Sequence, residues 1–373
     1  MPLIDRNEIK KPRLAVIKIG SKILAPQVGD GHIARISSVA KAVCDLIFDG
    51  TDVILVSSGA VANGRAVLGL KEKPKTISLK QACAGVGQIE LMSLYRAQFD
   101  KYSKPIGQIL LSWSDFRDKK RYLNLRNTLF AMLENGIVPI INENDSVSVD
   151  EIKIGDNDTL AGQVAILANA DLFVALSDIN GLYTDNPKKN PDARHIPTIE
   201  KFDDVLHKGA TDEGTDVGTG GMATKLRAAE TVSKAGIFSI VGDGYNFDLI
   251  SVINEQKNGT LFYPQREKMC SRDRFIAFAG ETQGTIHVDD GAKNALIAGK
   301  SLLAAGILAA SGDFDEGDAV TIENGGHVFA KGIVEYPSNE IDKIKGKKSA
   351  QIEAQCDFYH CDFVIRRNNM VIL

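Results

Sequence analysis

The sequence has no window approaching the roughly 18 apolar residues that a membrane span requires, so no transmembrane helix is expected. Its first twelve residues, MPLIDRNEIKKP, hold charges and no apolar stretch, and do not read as a secretory signal. Cysteine is scarce: the five, at 44, 83, 270, 356 and 361, are odd in number and lack the paired spacing of structural zinc sites. Reduced thiols and a cytoplasmic location are the expectation. Net charge is small, with 44 Lys and Arg against 48 Asp and Glu giving -4, so there is no bulk attraction for nucleic acid or an anionic membrane. Internal repeats, low-complexity tracts and the G-x-x-x-x-G-K-[ST] order of a Walker loop are also absent. What is present is an ordinary globular composition, 44% apolar and 25% charged, over 373 residues, enough for two or three domains.

The first two thirds alternate short Val- and Ile-rich runs with longer helical patterns. Strands are predicted at 14–19, 52–56, 106–111, 137–141, 172–176 and 237–241, and helices at 32–48, 78–100, 121–135, 158–169 and 222–235. That alternation predicts an α/β fold, a mostly parallel open sheet sandwiched by helices. Ligands in such sheets bind beyond the carboxyl ends of the strands. Four of those ends are small and polar: Gly20-Ser21, Ser57-Ser58-Gly59-Ala60, Asn142-Glu143-Asn144-Asp145 and Ser177-Asp178. From about residue 276 the pattern becomes short β-like runs at 285–288, 319–322, 332–335 and 363–367 between Gly, Asp and Asn turns, predicting a small β-rich domain. The stretch 265–275 between them has basic residues and no apolar period, and reads as an exposed linker.

Three segments carry groups suited to chemistry. Lys18 ends an apolar strand and precedes Gly20; its head either simply reaches water or faces a phosphate that the glycine lets approach. The segment 218–225, Gly-Thr-Gly-Gly-Met-Ala-Thr-Lys, sets three glycines before a helix whose first amides suit an anion, although a bare flexible turn has the same composition. The segment 142–158 holds six carboxylates in seventeen positions, of which Asp158 is either a helix cap or a partner for the lysines.

Together these residues resemble the amino acid kinase family, through Val-Ile-Lys18-Ile-Gly-Ser, Ser57-Ser-Gly-Ala60, the segment 81–88, Asn142-Glu-Asn-Asp145, Gly155-Asp-Asn-Asp158, Gly181-Leu-Tyr-Thr184 and Gly218 to Lys225. One departure is Ser57, where many relatives have threonine. The resemblance implies a catalytic domain over 1–264, the linker at 265–275 and a PUA-like β domain over 276–373. It implies transfer of the γ-phosphoryl of ATP, with Mg2+, to the γ-carboxylate of L-glutamate, the first step of proline synthesis. By position, Lys18 and Lys225 would act on the phosphates and Asp158 would hold the lysines. Ser58, Asp145 and Asn157 would contact glutamate; Ser177, Asp178, Thr219, Gly220, Gly221, Met222, Ala223, Thr224 and Lys225 would line the nucleotide site beside Lys18. The resemblance also implies a homo-oligomer, dimer or tetramer, and proline as feedback inhibitor. It makes glutamate 5-semialdehyde dehydrogenase, the next enzyme, a candidate partner.

A carboxylate nucleophile needs no general base, so two lysines and a magnesium ion meet the catalytic need. Kinases of N-acetylglutamate or aspartate are alternatives on the same fold. Asp145 favours a free amino acid, because an acetylated amine carries no charge to counter. An RNA-binding regulator is the alternative from another class, since PUA-like domains occur in RNA-modifying proteins. Residues 276–373 hold 9 Lys and Arg against 14 Asp and Glu, a poor surface for phosphates.

Overall fold

In the computed structural model, residues 11–25, 31–147, 157–185, 187, 190–202, 221–245, 258–279, 282–347 and 362–373 are described. Two compact units divide the chain, Met1–Asp115 with Tyr122–Lys268, and Phe116–Arg121 with Met269–Leu373. Among the described residues, no helix is long and apolar enough to cross a membrane.

The first unit is built on eight strands: β1 (Leu14–Ile19), β2 (Asp52–Val56), β3 (Ile106–Leu111), β4 (Val138–Glu143), β5 (Leu172–Ser177), β8 (Thr198–Ile199), β9 (Phe238–Asp243) and β10 (Thr260–Phe262), in the order β3-β4-β2-β1-β5-β9-β10-β8. Every neighbouring pair is parallel except β9 with β10. A two-stranded ribbon, β6 (Leu182–Tyr183) with β7 (His195–Ile196), lies outside this sheet. The chain starts in the middle at β1, builds outward through β2, and crosses to the other side of β1 for β5. The strand order therefore reverses beside β1, where an open sheet leaves a crevice at its carboxyl edge.

The helices are α1 (Ser21–Leu24), α2 (Gly31–Phe48), α3 (Ala60–Val67), α4 (Ile77–Phe99), α5 (Ser114–Arg117), α6 (Lys119–Glu134), α7 (Asn157–Ala168) and α8 (Met222–Lys234). Ala15, Ile17 and Ile19 of β1 share one buried cluster with Val39 and Val43 of α2 and Leu91, Tyr95 and Phe99 of α4. Side chains alternate across a strand, so Val16 and Lys18 face the opposite side of the sheet. There α7 packs on β1, and α8 packs on α7. That parity delivers Lys18 to the first turns of α7 and α8.

Glycine sets the contact between α3 and α4. A Cβ on Gly64 would sit 1.8 Å from the carbonyl oxygen of Cys83, and one on Gly87 1.9 Å from that of Ala60. Both obstacles are backbone, so a methyl group can be accommodated only if the helices separate. Gly87→Ala should destabilise the unit by about 3 kcal/mol in urea unfolding, the upper range for overpacking. Gly85→Ala, on the same helix with nothing near its Cβ position, should be neutral or stabilising.

In the second unit a five-stranded sheet runs in the order β13 (Ile307–Gly312), β11 (Thr282–Val288), β14 (Ala319–Asn324), β15 (His327–Ile333), β17 (Met370–Ile372), with a separate pair β12 (Leu302–Leu303) and β16 (Phe363–Ile365). Its helices are α9 (Ser271–Arg274), α10 (Asp290–Ile297) and α11 (Ser338–Ile344). Ile286, Val320, Ile322, Tyr336 and Ile341 fill its core. The strand expected at 332–335 begins earlier, at His327, because Gly325 and Gly326 turn the chain at once with φ of 59° and 84°. Positive φ at both loop positions is what a two-residue hairpin needs. Within 265–275, residues 271–274 are helical, and the buried Arg274 donates from Nη1 to the Met269 carbonyl at 2.6 Å.

Candidate active site

Lys18 is the one charged residue in the fully buried strand β1, and 4% of its surface is exposed. A lone ammonium there would carry a heavy desolvation cost. Its partner is Asp158, the second residue of α7, which is 0% exposed. Asp158 Oδ1 lies 2.5 Å from Lys18 Nζ, and Oδ2 lies 3.0 Å from Nζ of Lys225, itself 4% exposed in the first turn of α8. Thr224 Oγ1 donates to Oδ2 at 3.1 Å. Burial pushes the Asp158 carboxyl up, but the two ammoniums outweigh burial and hold it below its ordinary value of 3.8. Among the described residues, both cations share this one anion. The cap reading of Asp158 therefore gives way to the lysine-bridging one.

Above this triad is a cavity of about 400 Å³. Lys18 and Lys225 line it, together with Ser58 after β2, Asp145 after β4, Asn157 at the start of α7, and Ser177 and Asp178 at the end of β5. The four strand ends meet here, as the parallel sheet requires. One boundary differs from expectation: β4 runs to Glu143, so Asn142 and Glu143 are strand residues. Gly59 starts α3 with φ of 101°, a left-handed conformation that glycine adopts without steric cost.

Asn157 is the centre of a polar relay. Its Nδ2 donates to Ser58 Oγ at 2.7 Å, to the Ser57 carbonyl at 2.9 Å and to Asn142 Oδ1 at 2.9 Å. Asn142 Nδ2 in turn donates to Gln88 Oε1 of α4 at 2.8 Å. These acceptors fix the amide orientation and leave Asn157 Oδ1 buried without a hydrogen-bond partner. Beneath the same turn, Ser57 Oγ meets Tyr95 OH at 3.0 Å, and burial pushes that phenol well above its ordinary value.

Asp145 makes no side-chain hydrogen bond or ion pair among the described residues. Burial first, and the neighbouring Glu143 second, push its carboxyl up to about 6. An acid held this way is suited to a ligand's cation, which would restore its charge at little cost. Asp178 is paired with Lys22 at 2.9 Å and accepts from Ser177 Oγ at 3.3 Å.

Gly221 precedes α8, and Met222, Ala223 and Thr224 form its first turn without lining this cavity. Thr219 and Gly220 lie outside the described residues, as does 148–156 of the acidic segment. Gln88, Asn142 and Lys22 received no role from the sequence. The signal was a polar residue, Asn142, ending the apolar run of β4, and a glutamine on the inner side of α4; only the pairing across elements gives them a task. Among the described residues, no three His, Cys, Asp or Glu side chains gather in a metal-binding group.

Residues 13–243 match the Amino acid kinase family, and residues 284–355 the PUA domain. A glutamate 5-kinase of Syntrophotalea carbinolica is 43% identical over 98% of this chain and 99% of its own. One from Carboxydothermus hydrogenoformans is 42% identical over 99% of this chain and 100% of its own, and one from Geobacter sp. strain M21 is 43% identical over 98% and 99%.

Proposed function

The chain belongs to the amino acid kinase family, and we propose that it moves the γ-phosphoryl group of ATP onto the γ-carboxylate of L-glutamate, the activity its relatives are named for. The product is γ-glutamyl phosphate, the opening step of proline synthesis. The observation that carries this reading is a buried pair of lysines bridged by Asp158 under a cavity that also holds Asp145, an acid with no partner among the described residues.

In the reaction a γ-carboxylate oxygen attacks the γ-phosphorus as the bond to the β-phosphate oxygen breaks, and ADP leaves. No proton is removed, so the protein's work is alignment and charge neutralisation. Lys18 and Lys225 neutralise the transferring group, and Asp158 keeps both ammoniums in register. Ser58 and Asn157 orient the substrate, held by the relay through Asn142 and Gln88. Ser177, Asp178 and residues 219–225 serve the nucleotide. A magnesium ion carried by the nucleotide would supply neutralisation of the phosphate oxygens and would need few protein ligands. Proline, a cationic amine beside a carboxylate, competes for Asp145. A cytoplasmic homo-oligomer working beside the dehydrogenase that consumes the acyl phosphate completes the proposal.

ADP release with glutamate, N-acetylglutamate or aspartate, with hydroxylamine trapping the acyl phosphate, tests the reaction. A hydroxamate from glutamate alone is the expected result; one from another acid alone reassigns the substrate.

Asp145 supplies a pH signature. It binds an ammonium only when ionised, so the KM for glutamate should rise about tenfold per unit as pH falls below about 6 and stay level above it. Asp145→Asn should raise that KM by roughly 30-fold or more above about pH 6, leave the KM for ATP alone, and lose the pH dependence, so that the two proteins converge as pH falls. Stability should move the other way. The folded pKa lies above the ordinary 3.8, so this group's stabilisation is complete below 3.8 and lost as pH rises through about 6. At pH 8 the Asn variant should therefore be more stable by up to about 2 kcal/mol, after allowance for partial solvent screening. An unchanged glutamate KM would reject the contact.

A further inference from the structure

Glutamate carries three charges into the cavity, and the groups assigned so far answer two of them. Lys18 and Lys225 face the reacting carboxylate, and Asp145 faces the ammonium. The α-carboxylate also leaves water and needs a counter-charge. The cavity offers four further cations: Lys22, Arg65, Lys73 and Lys80. Lys22 is held by Asp178, while Lys73 and Lys80 are exposed at the rim. Arg65 is half-buried, and among the described residues its side chain makes neither an ion pair nor a hydrogen bond.

Its position suits the task. Arg65 stands in α3, five residues or about 7.5 Å along the axis from Ala60, where the helix opens on the Ser58 turn. Helical side chains lean back toward the N-terminus, so the guanidinium reaches toward that turn. Its neighbour Gly64 lies against the α4 backbone, which makes α3 a fixed platform. A guanidinium also presents two parallel donors to a carboxylate, which an ammonium cannot.

We propose that Arg65 reads the α-carboxylate of glutamate and so sets the specificity of this kinase for an α-amino acid. The inference rests on the glutamate reading above. Its test uses two substrate analogues with the full chain: 4-aminobutanoate, which lacks the α-carboxylate, and glutarate, which lacks the ammonium. Arg65→Gln should raise the KM for glutamate by about 30-fold or more, with the KM for ATP kept. The preference for glutamate over 4-aminobutanoate should collapse by the same factor, while the preference over glutarate stays. Asp145→Asn should reverse that pattern. Arg65→Lys, which keeps charge without the fork, should fall between. A merely structural role would weaken all three substrates alike. If wild type phosphorylates glutamate and Arg65→Gln keeps its preference over 4-aminobutanoate within threefold, Arg65 is not the reader. If wild type forms no hydroxamate from glutamate, the functional reading has failed and the inference with it.

Discussion

Asp158→Asn should cost the first unit about 3–5 kcal/mol of stability at pH 7 and remove activity. The substitution keeps the side chain's shape and deletes the carboxylate that, among the described residues, bridges two ammoniums that are each 4% exposed. Breaking a buried ion pair by removing one partner leaves an uncompensated charge, and that residue of desolvation sets the magnitude. Wild type should lose this contribution at the acid end. Its Asp158 pKa lies below the ordinary 3.8, so the triad's contribution is complete above 3.8 and lost as pH falls through the lower folded value. Urea unfolding of both proteins at pH 7, and of wild type at acid pH, makes the comparison. A variant within 1 kcal/mol of wild type at pH 7 would mean that the two lysines are not held charged by Asp158.

Lys18→Ala and Lys225→Ala should each lower kcat by about 10²–10³-fold, the usual cost of losing one preorganised charge at a developing anion. The fold should survive either change, because Asp158 retains one cation and the remaining pair is neutral. The double variant should lose less than the product of the two effects, since both lysines act on one transferring group through one carboxylate. Single-turnover phosphoryl transfer, with unfolding measured alongside, separates chemistry from stability. A variant that transfers at near wild-type rate would strip that lysine of its role.

The parallel sheet was legible because its signal is local. Apolar runs at 14–19, 106–111 and 172–176 and the helical period at 222–234 each show in side-chain spacing within a dozen residues, although the strands take their hydrogen bonds from neighbours distant in sequence. The second unit was less legible for the same reason. β13 pairs with β11, and β15 with β14 and β17, each with few buried positions, and the Gly325-Gly326 hairpin outweighed the apolar pattern expected at 332–335.

Sequence alone thus determined the sheet, the polar strand ends and the residue types that chemistry needs there, because strand parity and open-sheet topology follow from backbone geometry. Tertiary structure alone decided who partners whom. Asp158 and Lys225 stand 67 positions apart, and Asn142 and Gln88 54 apart, with no local pattern to link them. The family resemblance set Asp158 with the lysines; the packing of α7 on β1, and of α8 on α7, is what brings a residue that could equally cap a helix between the two ammoniums. Burial depth was likewise invisible in the sequence: the same carboxyl group is lowered at Asp158 by two cations and raised at Asp145 by desolvation beside Glu143. Charge in a protein takes its meaning from what surrounds it, and those surroundings are assembled from distant parts of the chain.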